Sequence, residues 1–231
     1  MDVYLDRALE QVEAAATLTL AATDDTQSAP QRKAGRTRAA SGAEGRSVAP
    51  VTAYRLKITL RGTKPPVWRR ILVPSSTTLP KLHRIFQAAM GWTDSHLHAF
   101  RVGDIQYGTP DPEFGAGMRS ERSVRLADIA RAVRARFVYW YDFGDDWTHD
   151  VLVEDVRPID EGVKLPTCLD GKRACPPEDV GGVYGYVQFL EAYRDPRHEE
   201  HERMREWAGP DFDADSFDRA QTAHELERLK I

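Results

Sequence analysis

The chain has 231 residues, of which 32 are basic and 36 are acidic, giving a formal net charge of −4. This near balance provides no overall attraction to nucleic acid or to anionic lipid. Two cysteines in a chain of this length exclude a secreted disulfide framework. The sequence has no apolar run of about eighteen residues, as a membrane span requires, and its acidic start is atypical of a signal peptide. We therefore expect a cytoplasmic protein with reduced thiols.

The N-terminal part of the chain is expected to lie outside the folded domain. Apolar residues recur at roughly helical spacing over residues 1–20, which predicts a short N-terminal helix. Residues 21–51 are rich in Ala, Ser, Gly, Arg and Pro and have almost no large apolar side chain. Such a segment cannot bury enough surface to offset its ordering entropy, so we expect a disordered linker.

Residues 52–231 are predicted to form one domain, which starts with a hairpin and a helix. "AYRLKITL" alternates apolar and polar residues as on a half-buried strand, and "VWRRILVP" follows as its partner after the turn "GTKPP". "SSTTLPKLHRIFQAAMGW" carries apolar residues at helical spacing, and Gly91 ends that helix.

The second half of this domain predicts more hairpins and then helices. "HLHAFRVGDIQYG" is typical of two strands around Gly103 and Asp104, and "RFVYWYDFGDDWTHDVLVEDV" of two strands around Gly144. "VRLADIARAV" predicts a short helix, and the segments after Gly182 are helical in pattern. The predicted fold class is therefore α+β, with an antiparallel sheet of hairpins, a helix after the first hairpin and a helical C-terminal part.

Three motifs together resemble one known family. They are "PVWRRILVP" followed by "LHRIFQAAMGW" and "HLHAF", then "YDFGDDWTHDVLVE", then "CLDGKRACPPEDVGGVYGYVQFLEA". In this order they are similar to the plasmid Ri ORF-three family, whose members also carry the label of TnpR-like transposon passengers. The resemblance spans roughly Tyr54 to the C-terminus. It implies an α+β fold and an association with plasmids and insertion elements, without an established biochemical function.

The stretch "CLDGKRACPPEDVGG" holds both cysteines and allows four interpretations. The first is a metal clamp, in which Cys168, Cys175 and one or two of three histidines would bind zinc or another divalent metal as a cofactor. Those histidines are His96, His98 and His149. The six residues between the thiols are too many for a tight knuckle, and in similar family members a third cysteine often stands where this chain has Val180.

The other interpretations of this stretch are a redox pair, an anion cradle and a rigid turn. The cysteine spacing does not suit a redox pair, and Glu178 and Asp179 would repel an anion. The two prolines fix the backbone, the acidic pair can cap orphan amides, and the glycines permit unusual backbone angles. The rigid turn therefore accounts for every residue type, without excluding a weak metal site.

Three acidic residues and one histidine are the catalytic candidates. Asp145, Asp146, His149 and Glu178 are the residues that would surround an ion in a metal-dependent hydrolase, because carboxylates bind divalent cations and imidazole titrates near neutrality. The competing interpretation is that "FGDD" forms a hairpin turn in which the acids only shape the backbone.

Binding candidates come from aromatic and basic residues. Arginines beside an aromatic ring on a strand are typical of nucleic-acid contacts, although outward arginines on an edge strand also serve solubility. A binding face is expected where the loops "HLHAF", "YDFGDDWTH" and "CPPEDVGG" meet. The candidate binding residues are Trp68, Arg69, Arg70, Asp142, Trp147, Asp179 and Tyr184.

Three functions follow from these patterns. The first is a non-enzymatic accessory or binding protein of a mobile element, because no complete catalytic set is present. The alternatives are a metal-dependent hydrolase with an acidic and histidine pocket, and a DNA-binding accessory protein. The partner stays open between a protein and a nucleic acid of a mobile element, and no membrane is expected.

Overall fold

A computed structural model describes residues 51–110, 117–159, 162–209 and 211–230. The strands are β1 (Val51–Leu60), β2 (Trp68–Pro74), β3 (His98–Val102), β4 (Ile105–Gly108), β5 (Arg119–Ser120), β6 (Arg136–Tyr141), β7 (Trp147–Ile159) and β8 (Thr167–Lys172). The helices are α1 (Leu79–Met90), α2 (Leu126–Ile129), α3 (Gly182–Arg194), α4 (His201–Ala208) and α5 (Arg219–Arg228). None of the helices in these ranges is long and apolar enough to cross a membrane.

The described strands form one sheet in the order β5-β4-β3-β6-β7-β1-β2-β8. Neighbours pair antiparallel, except that β4 and β5 run parallel. Consecutive strands form the hairpins that the alternation predicted, and the long β7 pairs with both β6 and β1. The α+β class, the hairpin sheet, the helix after the first hairpin and the helical C-terminal part are confirmed.

Strand β8 is the longer of two strands that the sequence analysis missed, the other being the two-residue β5. It contains the first third of the cysteine stretch and pairs with β2, so that Cys168 lies opposite Ile71 and Asp170 opposite Arg70. The "LDGK" part does not alternate apolar and polar residues and includes a glycine, so the sequence pattern does not predict a strand there. Its pairing with β2 defines the strand. The predicted N-terminal helix and disordered linker fall on residues 1–50, outside the described residues.

The main core lies on one face of the sheet, where the alternating apolar side chains of the central strands meet helix α1, and a smaller cluster with Ala53 and Leu72 is separate from it. Leu82, Ile85 and Phe86 on α1 are fully buried against this face. Trp147 and Tyr139 are also fully buried and form its aromatic centre. This rigid layer sets the position of the loops at the end of β6 and β7.

Gly182 lets the start of α3 approach the β6–β7 turn closely, and Gly185 lets the first turn of α3 pack on the residues just before it. Gly182 begins α3 with φ of +68°, and a Cβ built there would lie 2.4 Å from the carbonyl oxygen of Asp145. A Cβ at Gly185 would lie 2.0 Å from the carbonyl oxygen of Val180. Both contacts are with backbone, which cannot swing aside as a side chain can. Gly182, the second glycine of the "GG" pair, and Gly185 are therefore required by close backbone packing, whereas Gly181 is favoured by its φ of +90° alone.

The substitution Gly182→Ala should destabilise the protein more than Gly103→Ala does. Both glycines have positive φ, but a Cβ at Gly103 meets nothing within 4 Å, so it reports the backbone penalty alone. We expect about 1–2 kcal/mol for Gly103→Ala and more for Gly182→Ala, measured by urea unfolding. Equal losses in the two variants would show that the contact with Asp145 is not tight.

Candidate functional site

Three loops meet where strand β6 ends and strands β3 and β7 begin. We call this surface the three-loop face. They comprise residues 91–97, 142–146 and 173–181. The Asp142 amide donates to the Leu97 carbonyl at 2.9 Å, and the Gly181 amide donates to Asp145 Oδ2 at 3.0 Å. Backbone and side-chain hydrogen bonds thus connect the second loop to the other two.

Glu178 joins the first and third loops to strand β6. Its carboxylate accepts the Tyr141 hydroxyl at 2.6 Å and the Thr93 amide at 2.9 Å, and the Thr93 hydroxyl also donates to it. Next to this anchor, the Trp92 indole donates to the Pro176 carbonyl at 2.9 Å. Since hydrogen bonds to a charged group are about twice as strong as neutral ones, Glu178 acts as a structural anchor rather than a free acid.

One imidazole and two carboxylates converge at the centre of this face. His96 Nε2 lies 3.0 Å from Asp179 Oδ1 and 3.6 Å from Asp142 Oδ2. One ligand atom from each of the three residues lies within 4.8 Å of the other two. Asp142 is nearly buried, while Asp179 is exposed. In the part of the chain that the structure describes, these three residues are the one group of His, Cys, Asp or Glu side chains close enough together to share a metal ion.

The predicted metal clamp of two cysteines and histidines is not formed. Among the described residues, neither thiol lies close enough to two other potential ligands to share an ion. Burial raises the pKa of Cys168 to about 11 and that of Cys175 to about 12, so both thiols stay protonated at neutral pH. Cys168 is buried in the core and Cys175 is partly buried against it, which fits the interpretation of the two thiols as apolar packing groups.

His98 belongs to a different cluster, which the sequence analysis did not detect. Its ring stacks on that of His83 at a centroid distance of 3.5 Å, and its Nε2 lies 3.1 Å from the buried carboxylate of Glu121. His83 contacts Asp94 and the Tyr139 hydroxyl through its two ring nitrogens. His83 lies on the buried face of α1. In the sequence, this cluster was indicated only by a histidine within the apolar stripe of "LHRIF".

The four catalytic candidates do not surround a common point. Asp145 accepts the Gly181 amide, and Asp146 accepts the Thr148 hydroxyl at 3.1 Å. Glu178 is the anchor described above, and His149 is fully buried inside the sheet's core. These residues serve the turn and the core, as the turn-forming interpretation of "FGDD" implies.

The nucleic-acid candidates on β2 are engaged within the protein. Arg69 is buried and its Nε donates to the Ala89 carbonyl at 2.9 Å. Arg70 pairs with Glu154, with Nε 2.7 Å from a carboxylate oxygen, and also with Asp170. Its guanidinium stacks over Trp68. Because Arg69 is buried and its donors face backbone carbonyls, this guanidinium does not reach a phosphate.

The two remaining aromatic binding candidates differ in exposure. Trp147 is fully buried within the core and offers no surface to a partner. Tyr184 is 76% exposed near the start of α3. It lies beside a groove of about 680 Å³ between α3 and α4. Asp179 borders this groove and also belongs to the His96 cluster.

The sequence profile of the plasmid pRiA4b ORF-3-like proteins matches residues 52–221. The chain belongs to the plasmid pRiA4b ORF-3-like family. It is 45% identical over 165 residues to the uncharacterised protein y4hQ of Sinorhizobium fredii, covering 71% of this chain and 84% of that one. The resemblance inferred from the motifs is thereby confirmed.

A solved structure shares the fold of this pRiA4b ORF-3-like protein. The crystal structure of MM3350, a protein of unknown function from Methanosarcina mazei Go1, superposes with a TM-score of 0.67 at 40% identity. The match covers 74% of this chain and 97% of that one. Neither relative's name states an activity, so the function has to be argued from the geometry of the site.

The buried His149 should make the stability of the folded protein depend on pH. Burial lowers its pKa from the usual value of about 6.5 to about 4, against the opposing effect of hydrogen bonds to the backbone of Tyr139 and Trp147. The unfolded chain therefore binds a proton that the folded protein does not. The free energy of unfolding should be fully retained above pH ~6.5 and decrease as the pH falls toward ~4, by on the order of 3 kcal/mol.

Urea unfolding between pH 4 and 7 measures this effect in the parent protein and in His149→Phe. The variant should show a smaller loss across the window, and part of the loss should remain because burial lowers the pKa of His83 to about 4 as well. An unchanged slope in His149→Phe would contradict the assignment of His149 as a buried neutral imidazole.

Proposed function

We propose that this pRiA4b ORF-3-like protein is a non-enzymatic binding module of mobile elements. In this proposal, the groove between α3 and α4 holds a basic, partly apolar segment of a partner protein. The observation that carries the proposal is the combination of apolar walls and rim carboxylates in one groove of about 680 Å³. The proposal places the protein in the cytoplasm, where its two free cysteines stay reduced.

The walls of the groove offer apolar surface that a partner can bury. Phe189, Met204 and Trp207 line it, and Trp207 is 48% exposed, with its ring edge-on to Phe189 at a centroid distance of 5.7 Å. Along the outer side of α3, Tyr184 and Val187 are also exposed. Single exposed apolar residues are ordinary, but a set that continues a groove is typical of a protein interaction surface. Trp207 would be its main aromatic anchor.

The charge of the groove favours a basic occupant. Asp179, Glu191 and Glu199 lie on its rim. Arg203 also borders it, but this guanidinium is paired with the carboxylate of Glu200. The excess of carboxylates repels a phosphate backbone and attracts Lys or Arg side chains, so charge complementarity supports a basic peptide over a nucleic acid.

Peptide binding is the test of this proposal. Two labelled amphipathic peptides of equal length, one built of Leu and Lys and the other of Leu and Glu, are titrated with the protein by fluorescence anisotropy. The Leu/Lys peptide should bind and the Leu/Glu peptide should not. Trp207→Ala and Glu199→Lys should each weaken binding about tenfold or more, as expected for a central anchor and for a like charge at the interface.

Trp68→Ala provides the matched control, because it removes a half-buried tryptophan from β2, outside the groove. Binding of this variant should equal that of the parent protein. Equal binding of both peptides, or no effect of Trp207→Ala, would rule out the groove as a site for basic segments. Metal-dependent cleavage of DNA or of a phosphoester by the purified protein would contradict the non-enzymatic part of the proposal.

A further inference from the structure

We infer that His96, Asp142 and Asp179 form a binding site for a first-row divalent cation such as Zn²⁺ or Mn²⁺. The site shares Asp179 with the peptide groove, whereas His96 and Asp142 do not line that groove. Its ligand set differs from the cysteine clamp that the sequence suggested. It takes two carboxylates, at Asp142 and Asp179, from the loops that follow β6 and β8, and one imidazole from the loop before β3.

The unsatisfied nitrogen of His96 is the observation that points to a ligand. His96 Nε2 is shielded from solvent although the imidazole as a whole is 30% exposed, and no acceptor lies in the direction needed for a hydrogen bond. The nearest carboxylate oxygen, on Asp179, is 3.0 Å away but off the axis of the ring nitrogen. In a simple ion pair, a protonated imidazole would point its N–H at that oxygen. A buried polar atom without a partner is costly, and a cation on the ring axis would satisfy it.

The carboxylate of Asp142 has one oxygen held in place and the other directed to the site. Its Oδ1 accepts the amides of Gly144 at 2.9 Å and Asp145 at 3.3 Å. Its Oδ2 lies 3.6 Å from His96 Nε2, and the Asp142 side chain is only 10% exposed. Hydrogen bonds of this kind orient metal-binding carboxylates in known sites. A bound cation would also offset the repulsion between the carboxylates of Asp142 and Asp179.

The ligand types indicate the class of cation. One imidazole with two carboxylates suits Zn²⁺, Mn²⁺ or another first-row divalent ion, whereas Mg²⁺ and Ca²⁺ prefer oxygen ligands alone. Three protein ligands leave at least one coordination position for water or for an oxygen of a bound molecule. Asp179 is the ligand that this site shares with the groove.

Calorimetric titration of chelator-treated protein with Zn²⁺, Mn²⁺ and Mg²⁺ tests the site. Near one equivalent of Zn²⁺ or Mn²⁺ should bind, and Mg²⁺ should bind more weakly. His96→Ala, Asp142→Asn and Asp179→Asn should each weaken binding by about tenfold or more. The two Asn variants should fold, because Asn tolerates the positive φ of Asp142 and Asp179 and retains the Oδ1 acceptor.

Three control variants distinguish this site from a thiolate site, from the groove and from exposed carboxylates elsewhere. Asp195→Asn removes an exposed carboxylate far along the chain, Cys175→Ser removes a thiol, and Trp207→Ala alters only the groove. None should change the cation affinity. The visible spectrum of the Co²⁺-loaded protein should show d–d bands without a thiolate charge-transfer band.

Loss of binding in Cys175→Ser, or a thiolate band with Co²⁺, would overturn the assignment in favour of the cysteines. Stoichiometric binding that survives all three ligand substitutions would overturn it as well, and so would the absence of Zn²⁺ and Mn²⁺ binding by the parent protein. Failure of the peptide test leaves this result unaffected, because the cation titrations contain no peptide.

Discussion

The carboxylate of Glu178 is the constraint on which the arrangement of the site depends. It accepts hydrogen bonds from Tyr141 at the end of β6 and from Thr93 after α1. Asp179 follows it directly, and the glycines that open α3 come after that. One anchor therefore positions both the exposed ligand of the proposed cation site and the first turn of the helix that walls the groove. Without it, the loop would be held by the Trp92 indole on the Pro176 carbonyl and by the Asp145 carboxylate on the Gly181 amide.

The aromatic layer beneath this anchor explains why the loops can be held so closely. Trp92 stacks on Tyr141 with centroids 5.1 Å apart and contacts Trp147 at 5.7 Å. Tyr139 lies deeper and connects this layer to the stacked His83. Such rings are large, stiff and densely packed, so they transmit little movement to the loops above. A rigid floor and a charged anchor together favour a preformed site over one that assembles on binding.

Much of the fold could be predicted because its elements are defined by local patterns. Alternating strands, turn glycines and a helix with an apolar face lie within short segments, and they were found. Strand β8 was not, because it is a strand only through its pairing with β2. The same alternation could have corrected one site prediction. Arg69 shares its strand face with Ile71 and Val73, which places its guanidinium inside the protein.

The ligand set of the site was harder to predict, since its members come from distant parts of the chain. His96 was assigned to the cysteine clamp, and Asp142 and Asp179 to a binding face, each from its own neighbourhood. Sequence spacing cannot show which histidine points toward which carboxylate. His149 illustrates the difficulty, because it stands three residues from Asp146 yet points into the core on the strand that follows.

A double-mutant cycle between Tyr141→Phe and Glu178→Gln tests the central role of this anchor most directly. The free energy of unfolding would be measured for the parent protein, both single variants and the double variant. A coupling energy of about 1–3 kcal/mol is predicted, as for a partly buried hydrogen bond to a charged acceptor. Additive effects, within about 0.5 kcal/mol, would contradict the account, because the loop would then be held by other contacts.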